Sequence, residues 1–213
     1  MPRTPRSNPL ALAVLVTLYE RPMHPYEIAQ TLRGRAKHES VRLNYGSLYA
    51  VVESLEKRGL VAARETVREG RRPERTIYEI TDEGAREMVE WMTDLLGTPE
   101  KEYPKFMAGL SFLPSLTPEE ALQALHTRAE ALTMKVAQMR GAMRLASDSG
   151  LPRLFELEAE YEEEILAAEL QFVNRLIKDI ESGDLDGLEL WKSFHDPERN
   201  PEEVVSLRLD PPT

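Results

Sequence analysis

The 213-residue sequence contains no cysteine. That excludes disulfides and thiolate metal sites and fits a reducing compartment. Histidine is scarce: His24, His38, His126 and His195 are scattered, and none has a second ligand at i+3 or i+4 in metal-site fashion. A glycine-rich phosphate loop is missing, and so are internal repeats and low-complexity tracts. The apolar stretch Leu10 to Leu18 is far shorter than the roughly 20 residues of a membrane span. Arg3 and Arg6 before it imitate a signal peptide. However, no small-residue cleavage site follows, and Tyr19-Glu20-Arg21-Pro22 reads as a helix end. The expectation is a soluble cytoplasmic protein without metal, cofactor or membrane anchor.

Positive charge is short overall, with a net charge of −10, but it is unevenly spread. Residues 1–86 carry 15 Lys/Arg against 11 Asp/Glu, a net of +4, and residues 87–213 carry 12 against 26, a net of −14. The basic part is the part suited to a polyanion. The densest carboxylate cluster is Glu156, Glu158, Glu160, Glu162, Glu163 and Glu164. It reads as a solvated acidic face of a helix rather than as acid–base machinery. No catalytic residue is assigned, and an enzyme is not expected.

What is present is organised around Asn44 to Leu60. Leu48, Val51, Val52 and Leu55 form an apolar stripe at helical spacing, Lys57 and Arg58 suit a helix C-terminus, and Gly59 suits the residue after it. The N-terminal tip of this helix is polar and aromatic: Asn44, Tyr45, Ser47 and Tyr49, with Gly46 keeping the surface low. An ordinary amphipathic helix has the stripe; a recognition helix entering the major groove has the stripe and the tip. Tyr45 and Tyr49 either face the groove or lie buried with their hydroxyls reaching phosphate. Ser47 is either a base contact or a cap or phosphate ligand.

The segments around this helix favour the second reading. Asn8 and Pro9 start a helix to about Glu20, with Leu10, Val14, Leu15 and Leu18 inside. A second short helix follows Pro25, from Tyr26 to Leu32, ended by Gly34. Helix, helix, turn and helix is the helix-turn-helix pattern, and Tyr26 is placed to touch the DNA backbone. Leu60 to Val67 and Thr76 to Ile80 read as strands joined by a polar tip. That hairpin is a wing, and Arg68, Arg71, Arg72 and Arg75 in it suit phosphates or a narrow minor groove.

Thr81 caps a helix from Asp82 to Leu96, ended by Gly97, with Met88, Trp91, Met92 and Leu95 as its apolar face. Thr98 to Pro104 reads as a boundary, and Phe106 to Leu113 as a short apolar segment. Thr117, Pro118 and Glu120 form a capping-box helix start. Leu122, Leu125, Ala129, Leu132, Val136, Met139, Met143 and Ala146 then repeat at heptad spacing. After Gly150, Pro152 opens a second long helix with Leu154, Leu157, Tyr161, Ile165, Ala168, Phe172 and Leu176 on one face. Leu166, Leu170, Val173, Ile177 and Ile180 widen its second half. Such a hairpin needs the rest of its chain or a second copy to cover it. Leu185 to Phe194 reads as one docked short helix, and the remainder as an extended tail.

As a set, several pieces resemble the PadR family of bacterial transcriptional regulators. They are the Leu-Ala-Val-Leu-Val-Thr-Leu run of the first helix, Pro25-Tyr26-Glu27-Ile28, Gly46-Ser47-Leu48-Tyr49 to Leu55-Glu56, Gly59-Leu60, Arg71-Arg72-Pro73, and Tyr78-Glu79-Ile80-Thr81-Asp82-Glu83-Gly84. The resemblance covers roughly residues 8–95. Its C-terminal part is similar only in layout to the longer members, whose helical region dimerises. Ala50 stands where family members commonly carry a proline, a change of little consequence because alanine is a good helix former.

The resemblance implies a winged-helix homodimer that binds operator DNA, usually as a repressor responsive to a small molecule. The fold expected is mainly α. Residues 1–97 form a winged helix-turn-helix domain with a two-stranded wing, 98–183 an all-helical dimerisation domain, and 184–213 a partly docked tail. Tyr26, Asn44, Tyr45, Ser47, Tyr49, Arg68, Arg71, Arg72 and Arg75 are the expected DNA contacts. Trp91, Leu122, Leu125, Leu132, Val136, Met139, Tyr161 and Phe172 are the expected effector or dimer surface, with Trp91 either a packed aromatic or a ligand platform. The competing class is a winged-helix module that binds protein instead of DNA.

Overall fold

The computed structural model describes residues 8–37, 40–41, 43–67 and 75–196. They divide into two compact units, with the division between Lys101 and Glu102. In the first unit α1 (Pro9–Glu20) starts at Asn8, whose side chain accepts from the Leu10 amide, with Pro9 at the first position. Its apolar residues Leu10, Val14, Leu15 and Leu18 are buried. Thr17 is buried too, and its hydroxyl is satisfied by donating to the Ala13 carbonyl at 2.6 Å.

α2 (Pro25–Gly34) is capped by His24, not by one of the usual small polar residues. Its Nδ1 accepts from the Tyr26 amide at 3.1 Å, while Glu27 accepts from the His24 amide at 3.0 Å. This is a reciprocal capping box. The helix ends at Gly34, as expected, and beyond it Ala36 takes the left-handed conformation at φ 55°. The Lys37 and Ala36 amides then close back on Leu32 and Arg33.

α3 (Tyr45–Lys57) buries Leu48, Val51, Val52 and Leu55, the whole predicted stripe. Gly59, at φ 72°, lets the Leu60 amide reach the Leu55 carbonyl and the Gly59 amide reach Glu56. That closes a Schellman motif. β1 (Val61–Val67) pairs antiparallel with β2 (Arg75–Ile80), with a bulge between Ala63 and Glu65. The loop after α1 adds a bridge that sequence reading missed: Met23 and Tyr78 exchange both amide hydrogen bonds at 3.0 Å. The wing is thereby tied to the helical core.

α4 (Asp82–Gly97) is capped by Thr81, whose oxygen accepts from the Gly84 amide and whose hydroxyl donates to the Gly59 carbonyl. The helix ends at Gly97, as expected. Of its predicted apolar face, Met88 and Trp91 enter the core, whereas Met92 and Leu95 are exposed.

The second unit begins with α5 (Lys105–Ser111) and a 3-10 turn, Leu113–Ser115. α6 (Pro118–Asp148) starts with the expected Thr117–Glu120 capping box. A 3-10 turn, Arg153–Phe155, follows, and α7 (Leu157–Ser182) begins five residues later than Pro152. α8 (Leu188–Ser193) then docks by Leu188 and Trp191, and the Trp191 indole donates to the Leu116 carbonyl at 2.7 Å.

The packing of α6 on α7 corrects the sequence reading. Leu125, Ala129, Leu132 and Val136 are buried, with Leu122 and Met139 half-buried, so the heptad seam is used within the chain. The facing residues are Val173, Ile177 and Ile180, flanked by Leu166 and Leu170. The face expected to be primary, with Leu157, Tyr161, Ile165 and Phe172, stays on the surface.

The acidic cluster is also more than a solvated face. Glu162 pairs with Lys135 at 2.7 Å, Glu163 with Arg140 at 2.6 Å and Glu160 with Arg153 at 2.8 Å. Arg128–Glu169 at 2.5 Å and His126–Glu181 at 3.0 Å join the same two long helices. Such exposed pairs, screened by solvent, contribute little to stability. They fix the antiparallel register more than they add stability.

Candidate nucleic-acid interface

The tip of α3 is set by Asn44, whose Oδ1 accepts from the Ser47 amide at 2.7 Å. Asn44 is therefore the cap, and Ser47 is the third residue of the helix. The reading of Ser47 as the cap is corrected. The side-chain amide nitrogen of Asn44 and the Ser47 hydroxyl are the groups left for a ligand.

The tyrosines are on the surface: Tyr26 is 45% exposed, Tyr45 39% and Tyr49 47%. The alternative in which Tyr45 and Tyr49 are buried is excluded. The Tyr26 and Tyr45 rings stack, with centroids 6.0 Å apart and planes within 9°. Tyr49 meets the His24 ring edge-on at 6.2 Å. α2 and α3 thus present one continuous aromatic surface, made where the start of one helix lies beside the start of the other.

Arg33, in the last turn of α2, is a member of this surface that sequence reading missed. Its guanidinium lies over the Tyr45 ring, 4.3 Å from the centroid, and donates to the Tyr45 hydroxyl. Nothing in the sequence couples positions 33 and 45; only the crossing of the two helices does.

Of the wing arginines, Arg75 opens β2. Arg68, Arg71, Arg72 and the Arg75 side chain lie outside the described residues. Trp91 is 3% exposed and packed in the core of the first unit. It is a packed aromatic, not an open platform. An open groove elsewhere on this unit, between α1 and α4, is lined by Tyr19, Ala85, Arg86, Val89 and Glu90. Among the described residues no group of three or more His, Asp or Glu could hold a metal ion. None of their helices is long and apolar enough to cross a membrane.

Residues 14–90, which run from α1 through the tip and wing into α4, match the Transcriptional regulator PadR-like family. The chain carries a PadR-like domain. A curated relative, the Negative transcriptional regulator PadR of Bacillus subtilis (strain 168), is 23% identical over 111 residues. That match covers 52% of this chain and 60% of the relative, less than two thirds of its length. Among solved structures, Bacillus subtilis PadR in complex with operator DNA has a TM-score of 0.65 at 19% identity, covering 80% of this chain and 97% of that one. The same protein in complex with p-coumaric acid gives 0.65 at 18% identity, covering 84% and 98%. The Vibrio cholerae virulence activator AphA gives 0.61 at 18% identity, covering 81% and 98%. At these identities the likeness is one of fold, and the fold is the PadR-like winged helix with C-terminal helices.

Proposed function

We propose that this chain is a sequence-specific DNA-binding transcriptional regulator, acting as a homodimer on an inverted-repeat operator in the cytoplasm. The observation that carries the reading is the exposed surface of Tyr26, Tyr45 and Tyr49 at the tip of a capped α3. A recognition helix presents this end to the major groove, while the preceding helix crosses the backbone. The first unit supplies this contact, together with Arg68, Arg71, Arg72 and Arg75 of the wing. The PadR relative solved with operator DNA supports the same use of the fold.

The second unit is the dimerising one. Support comes from the α7 stripe of Leu157, Tyr161, Ile165 and Phe172, with Leu154 and Phe155 beside it, all exposed in the single chain. A contiguous apolar stripe of this kind calls for a protein partner, and a second copy offers the same stripe across a two-fold axis. Repression and response to a small molecule complete the proposal. The curated relative is named a negative regulator, and its solved form with p-coumaric acid makes a small aromatic acid the class to try first.

The experiment is genomic footprinting of the bound protein, followed by binding to the recovered site and to a scrambled duplex at several salt concentrations. An inverted repeat with half-sites about one helical turn apart, or a multiple of it, is expected. Equal binding to both duplexes would remove sequence specificity, and no binding to either would leave the protein-interaction module as the reading.

A further inference from the structure

Among the described side chains of the first unit, most arginines are neutralised. Arg35 takes both oxygens of Glu20, at 2.5 and 2.7 Å. Arg21, Arg58, Arg64 and Arg86 each lie within 4 Å of a carboxylate, those of Glu27, Glu87, Glu79 and Glu83. Arg33 differs. Its partner is the Tyr45 ring and hydroxyl, and among the described residues no carboxylate pairs with it. An exposed guanidinium held against an aromatic face keeps its full charge and stays in one place.

The chemistry of the contact is directional. A guanidinium has five N–H donors and no acceptor, so one donor goes to Tyr45 and the rest of the fork stays available. The phenol oxygen accepts that bond, so its own hydrogen must point elsewhere. The arrangement leaves a phenolic O–H and guanidinium N–H groups side by side, all donors, with no acceptor between them. That is a complement for an anionic oxygen that accepts several bonds at once. The Tyr26 ring, stacked on the Tyr45 ring, limits its rotation.

We propose that Arg33 and Tyr45 form one composite clamp for a phosphate oxygen, and that its ligand is a backbone phosphodiester of duplex DNA. This rests on the DNA-binding reading above and adds a residue to it. Arg33 both binds the phosphate and positions the Tyr45 hydroxyl. The contact lies at the α2–α3 crossing, where a helix-turn-helix meets the backbone beside the groove it reads. It carries no sequence information, so it contributes equally on every duplex.

The test uses the full chain and a mixed-sequence duplex, with affinity measured over a salt series for wild type, Arg33→Ala, Arg33→Lys, Tyr45→Phe and the Arg33→Ala/Tyr45→Phe double variant. Circular dichroism and melting of each variant show that it is folded. Wild type is expected to bind at low salt. Arg33→Ala should weaken binding about tenfold or more and lower the salt slope by about one contact. Tyr45→Phe should weaken binding in wild type but have little further effect once Arg33 is gone, because the two act together. Arg33→Lys should keep the slope and lose affinity, since an ammonium lacks the planar fork.

If wild type binds no duplex, the DNA-binding reading falls and takes the clamp with it. If wild type binds and Arg33→Ala matches it in affinity and slope, the clamp alone is wrong. Additive losses for Arg33→Ala and Tyr45→Phe would make them separate contacts and overturn the composite site. Full affinity in Arg33→Lys would reduce Arg33 to a point charge and overturn it as well. Inorganic phosphate should compete no better than chloride at equal ionic strength. Stronger competition would mark a site for the free anion and overturn the assignment to DNA.

Discussion

A Cβ placed on Gly84 would stand 2.0 Å from the carbonyl oxygen of Leu60. The first turn of α4 therefore rests directly on the backbone that leaves α3, and only a residue without a side chain fits. The same Leu60 carbonyl accepts from the Thr81 amide, and the Thr81 hydroxyl donates to Gly59. The run Thr81-Asp82-Glu83-Gly84 is thus a joint between the recognition helix, the wing and α4. Gly84→Ala is expected to destabilise the first unit by about 2–3 kcal/mol or more, because backbone on both sides must move. Urea unfolding measures it, and a loss under about 0.5 kcal/mol would contradict the close approach.

Ala36 should respond in the opposite sense. Its φ of 55° places an L side chain in the left-handed region where glycine carries no penalty. Ala36→Gly is expected to raise stability by about 1 kcal/mol. Thermal unfolding of the two proteins is the check, and an unchanged or lowered midpoint would count against this cap geometry.

Asn44→Ala is expected to lower stability by about 1 kcal/mol, since it removes the acceptor for the Ser47 amide. Ser47→Ala should change stability by less than about 0.5 kcal/mol. Ser47→Ala is consequently the cleaner probe of base reading, and Asn44→Ala needs its DNA affinity corrected for folding. Equal melting midpoints for Asn44→Ala and wild type would remove the cap.

The two apolar faces of the helical hairpin predict different failures. Leu132→Ala empties a buried site between α6 and α7, and should destabilise the second unit by about 2–5 kcal/mol. Tyr161, 69% exposed, should tolerate Tyr161→Asp as a folded chain, while Tyr161→Asp with Ile165→Asp should turn a dimer into a monomer in sedimentation. A double variant that stays dimeric at micromolar concentration would place the dimer contact elsewhere.

Tyr78 makes the wing sensitive to alkali. Burial, and then the nearby carboxylates of Glu56 and Glu53, hold its phenol above the ordinary tyrosine value. The folded state therefore favours the protonated form. The stability that follows is fully present below about pH 10, and is lost as pH rises from there through the folded value. Tyr78→Phe should flatten the alkaline limb of the stability profile of the first unit. An alkaline limb identical in the two proteins would assign it to other groups.

Much of the fold is written locally in the sequence. Asn8-Pro9, Thr81 and Thr117-Pro118-Glu119-Glu120 start helices because a side-chain oxygen and a fixed proline φ satisfy the first turn without help from afar. The stripe of Leu48, Val51, Val52 and Leu55 determined which side of α3 is buried, because the helical period puts all four on one side. The basic excess of residues 1–86 likewise pointed to a polyanion before any geometry.

Tertiary structure decided what local pattern left equivalent. On α7 two apolar faces compete, and the choice of Val173, Ile177 and Ile180 over Tyr161 and Ile165 depends on where α6 lies, which no residue of α7 encodes. Trp91 is core because α1 and α4 pack together, and periodicity alone cannot separate a packed ring from an open one. Arg33 and Tyr45 are twelve residues apart and meet only because α2 and α3 cross. Caps and periods act over one turn of chain, so the sequence determines them by itself. Which faces meet, and which side chains the meeting leaves exposed to a ligand, is settled only when all the elements compete for the same core.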